Sequence, residues 1–121
     1  AHAGLGPVWD LNVTATTTGT TALIVASDHG NTEVVKLLLN KGADINVKLT
    51  TNGATALMMA SQEGHMEVVK LLLDKGADVD AKLTTDGATA LMIASKNGHI
   101  DVFMLLSLRS HGLDYGIEEQ Y

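Results

Sequence analysis

Apolar and polar positions along the chain fall into short blocks that return at a fixed spacing. In the middle of the sequence, Leu57-Met58-Met59-Ala60 is followed by a polar break around Gly64 and then by Met66 to Leu73, where Val68, Leu71 and Leu72 stand at i, i+3 and i+4. That spacing predicts an amphipathic helix following a shorter first one. Thr55 predicts the N-cap of the first helix, because its hydroxyl can accept from first-turn N–H groups that have no helical partner. Gly64 separates the two helices. Gly76 ends the second, since a positive φ is common just past a helix and glycine adopts it without a Cβ clash. Asp78 to Gly87 then reads as a polar, threonine-containing connection.

The whole block recurs. Gly19, Gly53 and Gly87 are spaced at 34 residues, and the same register holds for Thr21-Ala22-Leu23, Thr55-Ala56-Leu57 and Thr89-Ala90-Leu91, for Ala26-Ser27, Ala60-Ser61 and Ala94-Ser95, and for Gly30, Gly64 and Gly98. Glu33 to Leu39 matches Glu67 to Leu73, and Asp10-Leu11-Asn12-Val13 falls in register with Asp44-Ile45-Asn46-Val47. One domain over 1–121 is expected, divided into the tail of a preceding unit (1–19), two repeats (20–53 and 54–87) and a degenerate third with its tail (88–121). Helices this short are marginal alone. Stacked side by side, their apolar stripes merge into a continuous core, so the expected class is an all-α solenoid of helix-turn-helix units. Small residues such as Ala60 and Ser61 would let neighbouring first helices approach closely.

The run Gly-x-Thr-Ala-Leu-Met-x-Ala-Ser-x-x-Gly-His-x-(Glu/Asp)-Val, followed by Leu-Leu-Leu-x-Lys-Gly-Ala-Asp, resembles the ankyrin repeat over about residues 8 to 110. The resemblance implies paired helices with a projecting β-hairpin or extended finger loop. Three departures stand out. Ala22, Ala56 and Ala90 replace the family proline, Ile24, Met58 and Met92 replace its histidine, and one extra residue per unit falls in the loops around Leu49-Thr50-Thr51-Asn52 and Leu83-Thr84-Thr85-Asp86. The third unit drifts further, with Phe103-Met104 for Val-Lys and Ser107 for the last leucine, as a terminal unit facing water is expected to do.

Composition narrows the function. Hydrophobic residues are 45% of the chain and charged residues 18%, which supports a packed core. A net charge of −6 argues against nucleic acid, whose binding needs clustered Lys and Arg. Without cysteine there is no disulfide, thiolate or Cys-ligated zinc chemistry. No apolar run is long enough to span a bilayer, so no membrane partner is expected. A soluble chain is expected, with the cytoplasm as the default compartment, although the sequence assigns none.

Candidate catalytic residues reduce to Ser95, His99 and Asp101. These types could form a nucleophilic triad, but near neighbours seldom reach that geometry, and Ser61, His65 and Glu67 occupy the same places one unit earlier. Neither catalytic nor cofactor-binding residues are expected. His65 and His99 read as structural residues beside the turn backbone, one per unit, too few for a metal site. Asn12-Val13-Thr14 fits the glycosylation pattern, yet Asn12 is also the loop asparagine of its own repeat.

Another protein remains the expected partner. By the family resemblance, it would be met by the fingertips Thr17, Thr18, Thr51, Asn52, Thr85 and Asp86, and by Asp28, His29, Gln62, Glu63, Lys96 and Asn97 at the ends of first helices. Ile24, Met58 and Met92, one per unit, read equally as core or as an adaptable apolar strip, and Met58 and Met92 join the candidate set. The segment 54–87 carries six acids against three lysines, which favours a basic patch on the partner. Between Trp9 and Phe103 there is no Phe, Trp or Tyr, and interface hot spots are enriched in Trp, Tyr and Arg. Trp9, Phe103 and Tyr115 instead flank the array, where they could cover its ends or stack on another copy. A structural spacer, or end-to-end self-association within a longer array, is therefore the alternative function.

Overall fold

A computed structural model of the chain describes residues 12–14 and 20–110. Three pairs of short helices follow one another: α1 (Ala22–His29) and α2 (Thr32–Asn40), α3 (Ala56–Glu63) and α4 (Met66–Asp74), and α5 (Ala90–Asn97) and α6 (Ile100–Ser110). The first helices start alike. Thr21, Thr55 and Thr89 are extended, and their hydroxyls accept from the N–H groups of Ile24, Met58 and Met92 at 3.3, 3.3 and 3.4 Å. They also end alike, with Gly30, Gly64 and Gly98 left-handed at φ 72°, 75° and 74°. Behind α4, Gly76 (φ 94°) donates to the Leu73 carbonyl and Ala77 to that of Leu72, closing the helix two residues beyond Asp74.

The helices form two rows. In one, α1 packs on α3 and α3 on α5; in the other, α2 packs on α4 and α4 on α6, and each unit's pair closes against itself. Leu57, Met58, Ala60 and Ser61 of α3 are all buried between its two neighbours, which the small Ala60 and Ser61 permit. In α4 the buried set is Val68, Val69, Leu72 and Leu73, whereas Leu71 is half-buried. This is wider than the Val68, Leu71, Leu72 stripe expected from the sequence. A helix flanked on two sides within its row and by α3 in the other buries more than one face, and a single-stripe reading misses the second.

Polar links run from unit to unit at the repeat spacing. His65 Nε2–H donates to the Asp28 carbonyl at 3.0 Å, and His99 Nε2–H to that of Gln62 at 2.9 Å. Each carbonyl lies 37 residues earlier, at the end of the preceding first helix. Both imidazoles fit only because a glycine lies beneath: a Cβ on Gly30 or Gly64 would come within 2.6 Å of the ring Nδ1. The loops are joined as well. Asn12 Oδ1 accepts from Asp44 N–H at 2.7 Å and Asn46 Oδ1 from Asp78 N–H at 3.0 Å, so Asn12 serves as the repeat's loop asparagine.

The finger loops reverse through short bonded turns, in which Leu49 N–H donates to the Ala54 carbonyl and Leu83 N–H to that of Ala88, both at 2.8 Å. They are extended loops without strands among the described residues. Thr84 N–H donates to the Asn52 carbonyl and ties one finger to the next. In the third unit, α6 is 11 residues long against 9 for α2 and α4, and Arg109 reaches back to Asp74 at 2.7 Å. No helix among the described residues is long and apolar enough to cross a membrane.

Two serines at matching places differ in a way that stability measurements can read. Ser61 Oγ donates to the Leu57 carbonyl at 2.7 Å, and Ser61→Ala should lower the unfolding free energy by about 1 kcal/mol. Ser27 Oγ is buried with no hydrogen-bond partner among the described residues, so Ser27→Ala should leave stability unchanged or raised. Urea unfolding followed by circular dichroism checks both.

Candidate protein-binding groove

A broad concavity lies where the second finger loop crosses the ends of α3 and α5. Its volume is about 690 Å³, and it is lined by Gln62 and Glu63 from α3, Leu83, Asp86 and Ala88 from the loop, Met92, Ile93, Lys96 and Asn97 from α5, and His99. Six of the residues selected from the sequence meet here: Gln62, Glu63, Asp86, Met92, Lys96 and Asn97. They converge because a helix end and a fingertip 23 residues later in the chain are stacked by the repeat register, with His99 holding the α3 end through the Gln62 carbonyl.

A smaller cleft of about 240 Å³ sits one unit earlier and contains Asp28 and His29 together with Val25, Leu49 and Met59. His29 Nδ1–H donates to the Val25 carbonyl at 3.0 Å, and the Asp28 carboxylate stands 3.9 Å from that nitrogen. The fingertips Thr51 and Thr85 are exposed, but neither lines a groove with the others. Asn52 is half-buried and structural: its Oδ1 accepts from Ala54 N–H at 3.0 Å, and Asp86 Oδ1 does the same for Ala88 N–H. Thr17 and Thr18 lie outside the described residues, as do Trp9 and Tyr115.

Met58 requires a correction. It is 2% exposed, pressed between consecutive first helices, and cannot touch a partner, whereas Met92 at the matching place is 56% exposed. The apolar floor of the grooves is instead supplied one position further along, by Met59 in the first cleft and Ile93 in the second. Sequence reasoning passed over these two. The signal was present in the period itself, since Val25, Met59 and Ile93 are one repeat apart.

Charge in the larger groove is carried by Glu63, Asp86 and Lys96, all exposed. The Gln62 side-chain amide donates to Glu63 Oε2 at 3.2 Å and orients that carboxylate along the rim. Ser95, His99 and Asp101 make no relay. The His99 Nε2 proton is committed to Gln62, and Asp101 Oδ1 accepts from Val102 N–H. Among the described residues no three acidic or histidine side chains gather as a metal site would require.

A family model for the ankyrin repeat matches residues 18–48, and one for ankyrin repeats (3 copies) matches residues 48–119. The chain belongs to the ankyrin repeat family. Together the two matches span most of its length and agree with the paired helices, the capping threonines and the stacked rows. Ankyrin repeats are generally protein–protein interaction modules and typically non-enzymatic. No curated protein matches the chain closely enough to add a relative.

The difference between the two methionines is measurable. Met58→Ala should cost about 2–5 kcal/mol of stability, through lost burial and the cavity left behind. Met92→Ala should shift stability by no more than about 0.5 kcal/mol, as expected of an exposed position. Thermal or urea unfolding of the two variants is the check.

Proposed function

We propose that this ankyrin domain is a non-catalytic module that receives a segment of another protein in the groove between α3 and α5, through the finger loop and the ends of the first helices. The reading takes residues 1–121 as one domain with units at 20–53, 54–87 and 88–121. It rests on one observation above all: residues from two helices and a finger converge on a single open groove that carries two carboxylates, one lysine and an apolar floor. Acyl transfer through a hydroxyl or thiol nucleophile has no foothold in that set, because no Ser, Thr or Cys lines the groove.

The partner chemistry follows from the lining. A Lys or Arg side chain meets Glu63 and Asp86, and an adjacent apolar residue meets Ile93 and Met92. Rim charges of this kind steer and select more than they tighten. With no Phe, Tyr or Trp lining the groove, the affinity belongs to a moderate, exchangeable contact. The alternative, a spacer or self-associating segment of a longer array, draws on a different part of the molecule: its two end faces.

A panel of immobilised peptides that differ only in charge tests the groove. Peptides with a basic residue beside an aliphatic one should be retained, and acidic counterparts should not. Replacing Glu63 and Asp86 together by Lys should weaken retention by roughly tenfold or more, about 1.4 kcal/mol, and added salt should reduce it. Equal retention of acidic and basic peptides, or indifference to the double replacement, would refute this assignment.

A further inference from the structure

Every junction inside the array joins the forward face of one unit to the backward face of the next, and each end of the described array leaves one of these faces open. On the forward side, Ile24 and Met58 are buried beneath the following unit, while Met92 is exposed. Ser27 and Ser61 are likewise buried, and Ser95 is exposed. Ile100, at 76% exposure, stands where Met66 is half-buried. On the backward side the inequality is reversed. Val68 and Val102 are fully buried against the preceding unit, whereas Val34 is 47% exposed and, one turn on, Leu37 is 57% exposed.

The open forward face also keeps the shape of a filled one. Gly30 and Gly64 each lie beneath an imidazole from the following unit, but around Gly98 no atom of the described residues would meet a Cβ within 4 Å. A cleft of about 200 Å³ occupies that place, lined by Ala94, Gly98, Ile100 and Phe103 among others. The Lys96 carbonyl stands in register with those of Asp28 and Gln62, which accept from the two histidines. At the opposite end, the residue in register with His65 and His99 is Asn31. It is exposed, and its side-chain amide can donate as the imidazoles do.

Residues on α6 extend the argument. Met104 stands where the first two units have Lys36 and Lys70, and Leu108 where they have Asn40 and Asp74. Both are exposed. A terminal unit is expected to become more polar toward water; at these two positions this one becomes more apolar.

We infer that the forward face of the third unit binds the backward face of the first unit of a second copy of this chain, continuing the array head to tail. In the arrangement that copies the internal junctions, the incoming Asn31 enters the cleft at Gly98 toward the Lys96 carbonyl, and the incoming Leu37 packs against Met104, as Leu71 lies across the groove from Lys36. Such a contact does not close on itself, so association runs beyond the dimer. The contact covers Met92, which also lines the groove, but leaves Gln62, Glu63 and Asp86 untouched, so replacing Glu63 and Asp86 should not alter it.

Sedimentation of the full 121-residue chain over a roughly hundredfold range of concentration tests it by mass action. The weight-average mass should climb past twice the 12.7 kDa monomer. Val34→Asp with Leu37→Asp blocks one face and Ile100→Asp with Met104→Asp the other. Each double variant alone should stay monomeric, and an equimolar mixture should form a dimer and stop there. Circular dichroism verifies folding. Asn31→His, which installs the side chain used at both internal junctions, should strengthen association several-fold and serves if a double variant misfolds. A wild-type chain that remains monomeric throughout would overturn the inference. So would self-association of either blocked variant by itself, or an Asn31→His variant no stronger than the wild type.

Discussion

Lateral burial between neighbouring units is the interaction on which the rest of this molecule depends. Helices of 8 to 11 residues cannot persist in water on their own hydrogen bonds. They persist here because α3 is pressed between α1 and α5, and α4 between α2 and α6. The middle unit, covered on both sides, therefore has the deepest burial, with Leu57, Met58, Val68, Val69 and Leu72 almost completely removed from solvent. In the end units the matching positions are covered on one side only: Val34 and Met92 are exposed, whereas Ile24 and Val102 stay buried. Burial is a property of position in the row before it is a property of residue type.

Apolar contact alone is non-directional and would allow units to slide or tilt. Polar links limit that freedom. The His65 and His99 imidazoles tie one unit's second helix to the end of the previous unit's first helix, the loop asparagines tie consecutive loops, and Thr84 ties two fingers. Because each link recurs at the repeat spacing, the units step forward by one regular relation. That regularity is what makes the groove beside α3 and α5 a defined surface.

Grooves in such an array form at the seams. Helix ends and fingertips come from different units, so a groove is assembled from residues distant in sequence, with the apolar floor of Ile93 and Leu83 under a rim of charge. Exposed carboxylates on a rim cost little to maintain, since water still solvates them, and can be exchanged without disturbing the core. A rim residue such as Glu63 can thus change while the stacking beneath it remains.

Much of this architecture was legible in the sequence because the determinants are local and recur. A capping threonine, a left-handed glycine and an apolar stripe act within a few residues of themselves, and three copies in register remove ambiguity about where each helix begins and ends. The stacking followed from the same copies, since short helices with apolar stripes have nowhere else to bury them. Tertiary structure decided what depends on neighbours. Met58 and Met92 share the context Ala-Leu-Met, yet one is core and the other surface, because only one has a helix on both sides. The histidines look alike in sequence, but the carbonyls they reach lie 37 residues away. The groove, and the role of Met59 and Ile93 as its floor, exist only once two units are side by side, because a surface made of two partners cannot be written in either one alone.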